Sequence, residues 1–145
     1  LDIYKDLARK IIKDGEGATK FISINIKNAS SFKEAKNVGM HIGNSLLVKT
    51  AIFAEDANWG RILSAIGNSE IKSKDLSCIA ISFGKFKVFE NNKKAKSYNE
   101  QKLSRYLKNK EIEININLKS GKSLATVWTN DLSYEYIKIN AEYRT

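Results

Sequence analysis

The change of hydrophobic period across residues 1–27 limits the fold more than any other feature of the chain. In "LDIYKDLARKII", Leu1, Tyr4, Ala8 and Ile11 recur at helical spacing with Ile3, Leu7 and Ile12 beside them, while Asp2, Lys5, Asp6, Arg9 and Lys10 lie opposite. That pattern defines an amphipathic helix. Beyond "KDGEGATK" the period becomes two, as Ile22, Ile24 and Ile26 alternate with Phe21, Ser23, Asn25 and Lys27. A strand with one apolar side is expected there.

The remaining segments keep mixing the two periods. Ser31 and Glu34 have the spacing of a capping box, and Phe32, Ala35, Val38, Gly39 and Ile42 form the apolar stripe of a second helix. "LLVKTAIF" reads as an extended segment, after which Asp56 is expected to cap a helix carrying Trp59, Ile62, Leu63 and Ile66, ended by Gly67. Strands are expected at 78–83 and 85–89, a short helix from Asn99, a hairpin of "EIEININLK" and "SLATVWT" around "SGKS", and a last helix near Leu132. No glycine-rich phosphate loop follows the first strand, so the pattern favours an α+β fold with mixed β-sheet layers packed with helices over a doubly wound nucleotide fold. No proline, repeat or low-complexity linker divides residues 1–145, which read as one domain. Its opening helix starts at Leu1 without a cap or an initiator methionine, as expected of a longer chain truncated on its N-terminal side.

Composition narrows the classes. With 42% hydrophobic and 28% charged residues, the chain can bury a core. A net charge of +9 raises nucleic acid or an anionic substrate as partners. The basic residues are mostly scattered lysines, and the dense run "NNKKAKSYN" sits among turn formers as a solvated loop. Without an aromatic-flanked basic motif, a small basic nucleic-acid-binding module is the alternative reading, and no nucleic-acid partner is expected. No apolar run is long enough to cross a bilayer, and no leader opens the chain, so neither membrane nor secretion is expected. Cys78, the one cysteine, lies in the apolar run "SCIAISF", where a buried thiol and a reducing, cytoplasmic compartment are expected. His41 and Cys78 lack ligand spacing, so no metal and no cofactor is expected, and His41 reads as a cap or surface residue. No nucleophile is evident.

The stretch "DGEGATK" supports two readings. In one, Gly15 takes the left-handed position that stops the first helix and Gly17 eases entry into the strand. In the other, the two glycines bring the backbone close to a ligand while Glu16 faces an ammonium group. "EDANWGRI" can likewise be a capped helix start and "IKINAEYRT" a frayed terminus.

Taken together, "DGEGATKFI" at 14–22, "LVKTAIFAEDANWGRI" at 47–62 and "DLSYEYIKINAEYRT" at 131–145 resemble one family, the bifunctional ornithine acetyltransferase, or glutamate N-acetyltransferase, of cyclic arginine biosynthesis. The three motifs occur in the family's order and span nearly the whole chain. Departures are Leu46, where the family typically has proline, and Trp128, Thr129 and Asn130 before the final "DL".

The resemblance implies a precursor that cleaves itself into α and β chains, assembled as an αβ heterotetramer. The new amino-terminal threonine of the β chain would act as nucleophile in a ping-pong cycle, taking acetyl from N-acetylornithine, releasing ornithine, and converting glutamate to N-acetylglutamate. It admits acetyl-coenzyme A as a second donor. This chain would be the C-terminal portion of the β chain, with no catalytic residue of its own and no activity alone. On the matching positions, Glu16, Asn140 and Thr145 are the expected substrate-binding residues. A carboxylate suits a substrate ammonium, and an amide and a hydroxyl suit a carboxylate or amide. Lys20 and Lys49 are weaker candidates for anion contacts, each more simply read as a solvated or strand-edge lysine.

Overall fold

The computed structural model describes residues 2–71 and 76–143. Along the chain run α1 (Asp2–Lys13), β1 (Phe21–Ala29), α2 (Phe32–Gly43), α3 (Leu46–Phe53), α4 (Trp59–Gly67), β2 (Ala80–Phe83), β3 (Phe86–Glu90), β4 (Lys93–Lys94), α5 (Glu100–Leu107), β5 (Glu111–Asn117), β6 (Ser123–Asn130) and α6 (Tyr134–Glu142). The strands make one six-stranded mixed sheet in the order β4-β3-β2-β5-β1-β6, with β1 parallel to β5 and antiparallel to β6. The fold is α+β.

An isoleucine ladder sets the register. Ile22, Ile24 and Ile26 of β1 stand opposite Ile112, Ile114 and Ile116 of β5, and all of them are buried. Burying such a side chain stabilises by about 1.5–3 kcal/mol, and a slip of one residue would exchange the ladder for Ser23, Asn25, Glu113 and Asn115. Helix α2 covers this face with Ala35, Val38 and Ile42. It comes so close that a Cβ at Gly39 would stand 2.7 Å from Val127 Cγ2. The opposite face carries a polar chain, in which Thr126 Oγ1 donates to Asn25 Oδ1 at 2.9 Å and Asn25 Nδ2 donates to Asn115 Oδ1 at 3.0 Å.

Several local expectations are corrected. "LLVKTAIF" is helix α3, not an extended segment: Ser45 Oγ caps it through Val48 N, and Val48, Ala51 and Ile52 are buried at helical spacing. The exposed Leu46 and Leu47 had filled in the pattern and hidden that period. The cap of α4 is Asn58, whose Oδ1 accepts from Arg61 N at 3.1 Å; Asp56 only receives a bond from the Asn58 amide. Ser31 caps α2 as expected, but the Glu34 carboxylate reaches Ser30 N and Oγ, at 2.7 and 2.6 Å. Cys78 is exposed at the end of a short 3-10 helix, not buried.

The expected hairpin does not form, because β1 lies between β5 and β6. The "SGKS" connection passes over the end of β1 instead. Ser120 N and Gly121 N both donate to Asn28 O, at 2.8 and 2.9 Å, and a Cβ on Gly121 would stand 2.3 Å from Ala29 O. Glycine is required by that close approach.

Helix α1 forms where expected but turns its apolar side outward. Ile3, Tyr4, Leu7 and Ile11 are exposed, whereas Arg9 and Lys13 face the sheet and pair with Glu111 at 3.2 and 2.5 Å. The Arg9 guanidinium lies over the rings of Phe21 and Trp128, at 5.0 and 5.7 Å.

Candidate substrate-binding site

The loop between α1 and β1 owes its shape to contacts with the far end of the chain. Gly15 is not in a left-handed conformation, contrary to the helix-stop reading; the positive φ of +66° belongs to Gly17. Each glycine is instead a point of close approach, to the protein itself. A Cβ on Gly15 would stand 2.3 Å from Asn130 Nδ2, and one on Gly17 would stand 2.4 Å from Tyr136 N. Between them, Glu16 is exposed and accepts from Asn140 Nδ2 at 3.2 Å.

Residues 130–133 hold the loop from below. Asn130 Nδ2 donates to Ile12 O at 3.1 Å, at the foot of the loop. Buried Asp131 accepts from Thr19 N and Lys20 N, at 2.8 and 2.9 Å, and from Thr19 Oγ1. Ser133 both caps α6, accepting from Tyr136 N, and donates to Gly17 O at 2.5 Å. One short segment therefore fixes the loop and starts the helix that carries Asn140.

The expected site residues separate into two groups. Glu16 and Asn140 meet, although 124 residues separate them. Thr145 lies outside the described residues. Asn140 Nδ2 also donates to Tyr136 O at 2.9 Å, which fixes the amide on its helix. Two oxygen acceptors, the Glu16 carboxylate and the Asn140 amide oxygen, then stand at one exposed point. An ammonium with three N–H donors suits that pair.

The two lysines are neither solvated nor on a strand edge. Lys20 is buried, and its ammonium donates to Leu107 O at 2.7 Å and Asn109 O at 3.3 Å and pairs with Glu55 at 3.4 Å. Its role is to satisfy the carbonyls at the end of α5. Lys49, on α3, donates to Asn130 Oδ1 at 3.1 Å; burial lowers its pKa, against the raising influence of Asp131. Sequence reasoning passed over Asn130, Asp131 and Ser133. Ser133 was legible as a helix cap, but its second partner was not.

A cavity of about 470 Å³ opens beside the loop among Lys13, Thr19, Lys20, Phe21, Lys110 and Glu111, and neither Glu16 nor Asn140 lines it. Among the described residues, no cluster of three His, Cys, Asp or Glu could hold a metal ion, and no helix is long and apolar enough to cross a membrane.

The ArgJ family profile matches residues 1–145. The chain belongs to the ArgJ family. It is 42% identical over 144 residues to the arginine biosynthesis bifunctional protein ArgJ of Pseudomonas fluorescens, covering 99% of this chain and 36% of the relative. Against the protein of that name from Bacillus cereus, identity is 46% over 143 residues, covering 99% of this chain and 35% of the relative. The crystal structure of ArgJ from Bacillus halodurans superposes with a TM-score of 0.90 at 37% identity, over 98% of this chain and 70% of that one. This chain thus spans about a third of the length of those curated relatives. Membership in this family disfavours the small basic nucleic-acid-binding module.

Proposed function

We propose that this chain is the C-terminal portion of an ArgJ β chain and that, in the intact enzyme, it binds the amino-acid end of the substrates during acetyl transfer. The carrying observation is the meeting of Glu16 and Asn140 at 3.2 Å in a family whose members are named for arginine biosynthesis. N-acetylornithine donates the acetyl group to a threonine nucleophile outside this chain. Ornithine leaves with a proton, and the acetyl-threonine ester passes its acetyl group to the amine of glutamate, giving N-acetylglutamate. This is ping-pong acyl transfer. Acetyl-coenzyme A serves the same ester as a second donor.

Within that cycle, Glu16 pairs with the substrate ammonium, Asn140 completes the acceptor pair, and Thr145 is the third substrate-binding residue. The α chain of the same precursor supplies the rest of the site in an αβ heterotetramer, in the cytoplasm. The test is Glu16→Gln in the intact enzyme. Loss of a charge partner for a buried ammonium weakens substrate use by about 2–5 kcal/mol. Parent-like kinetics in a folded variant would reduce Glu16 to a loop residue. The chain alone, assayed with N-acetylornithine and glutamate, is expected to give no turnover.

A further inference from the structure

Glu16 is exposed on a loop flanked by two glycines, the residue type that loses most backbone freedom on ordering. A ligand that had to order this loop would bind more weakly by that entropy, so a binding carboxylate here needs a loop fixed beforehand. The Asn130 amide is well placed to fix it. It donates to Ile12 O at 3.1 Å and lies where a Cβ of residue 15 would go, 2.3 Å from that position.

An asparagine amide can turn over, and the turned form would set its oxygen against the Ile12 carbonyl. Lys49 prevents this. Its ammonium donates to Asn130 Oδ1 at 3.1 Å and has no acceptor capacity for an NH₂ group, so it favours one orientation only. Lysines usually extend their ammonium into water. That of Lys49 is half-buried and directed at a neutral amide, and the burial that lowers its pKa shows a cost of keeping it charged. Holding the amide in orientation is a role that accounts for such a lysine.

We propose that Asn130 and Lys49 are positioning residues for substrate binding, Lys49 orienting the Asn130 amide and Asn130 fixing the loop that presents Glu16. The inference rests on the substrate role of Glu16 set out above. Neither residue touches substrate. Their effect is on how much of the time Glu16 is in place, which alters affinity more than the chemical step.

The experiment uses the intact enzyme with Asn130→Asp, Lys49→Met, Lys49→Arg and Glu16→Gln. Asn130→Asp keeps the shape but removes the donor to Ile12 O. It and Lys49→Met are expected to raise KM for N-acetylornithine roughly tenfold, with kcat within about twofold. Hydrogen exchange of the peptide spanning residues 11–20 accelerates in both, while the melting temperature of Lys49→Met stays at or above the parent's. Lys49→Arg, which keeps a donor, recovers most of the affinity.

Unchanged KM or unchanged loop exchange in Asn130→Asp and Lys49→Met, beside a raised KM in Glu16→Gln, overturns the positioning role alone. A melting temperature of Lys49→Met well below the parent's also overturns it, since the lysine would then be a structural support. Unchanged KM in Glu16→Gln overturns the substrate role of the loop, and the positioning proposal with it.

Discussion

Gly17 and Tyr136 meet main chain to main chain: a Cβ on Gly17 would stand 2.4 Å from Tyr136 N and 2.9 Å from Tyr136 Cα. The GEG loop is thereby pressed onto the first turn of α6, the helix that brings Asn140 to Glu16. Gly17→Ala meets both a left-handed backbone and this contact. Strain at a positive φ costs about 1 kcal/mol by itself, and the collision adds to it. Denaturant unfolding should show a loss above that figure, and the kinetics of the intact enzyme should worsen with it. A variant as stable as the parent would mean that loop and helix separate freely.

Asp131 is expected to be the most sensitive polar position near the site. It is buried, and its carboxylate takes the Thr19 and Lys20 N–H groups and the Thr19 hydroxyl. In Asp131→Ala all three donors lose their acceptor. The expected loss is about 2–3 kcal/mol, as for breaking hydrogen bonds to a buried charge. Equilibrium urea unfolding measures it, and a loss below experimental error would count against the clamp.

Glu111 links α1 to the sheet in a pH-dependent way. Its pKa is lowered, first by the hydrogen bond from Lys13; burial opposes this, and the charges of Lys13 and Arg9 add to the lowering. A carboxyl group with a lowered folded-state pKa adds stability above its ordinary value near 4.5, and that contribution is lost as pH falls through the folded value. Because Glu111 is largely exposed, solvent screening limits the contribution to about 0.5 kcal/mol. Arg9 also lies over the Trp128 ring, so tryptophan fluorescence should report the loosening of α1 in acid. Glu111→Gln should remove this acid-dependent step and leave the rest of the titration unaltered.

At the carboxyl end, Asn140 is exposed, so its loss should affect binding rather than folding. Asn140→Ala in the intact enzyme is expected to weaken substrate use by about 1–3 kcal/mol, with a nearly unchanged melting curve. Removing Arg144 and Thr145, or adding residues after Thr145, should cut acetyl transfer in the same way. Activity that survives both changes would make the terminus ordinary surface.

Much of the local structure was legible. The period-two run predicted β1, the Ser31 capping box and its apolar stripe predicted α2, and the helices expected from Asn99 and near Leu132 are α5 and α6. Misreadings arose where local patterns were degenerate. "LLVKTAIF" is apolar at too many positions to display a single period, and Asp56 and Asn58 are equally good caps by type. For the site, the resemblance named Glu16 and Asn140, while the residues around them gave two open readings of the glycines. Neither revealed that the glycines pack against Asn130 and Tyr136.

The sequence by itself determined most of the helices and strands, α3 excepted, since spacing over a few residues carries that information, and its motifs pointed to the family. Only the tertiary structure decided that β1 separates β5 from β6, that α1 directs its apolar side away from the sheet, and that residues 130–133 and 140 converge on the loop at 15–20. The physical reason is range. A helical or extended pattern is set by neighbours two to four positions away, whereas the Asp131 bond to Thr19 and the Asn140 bond to Glu16 close 112 and 124 residues of chain. No local spacing encodes such pairs. They form because the isoleucine ladder fixes the order and register of the strands, and the loop and α6 are carried into contact by that sheet.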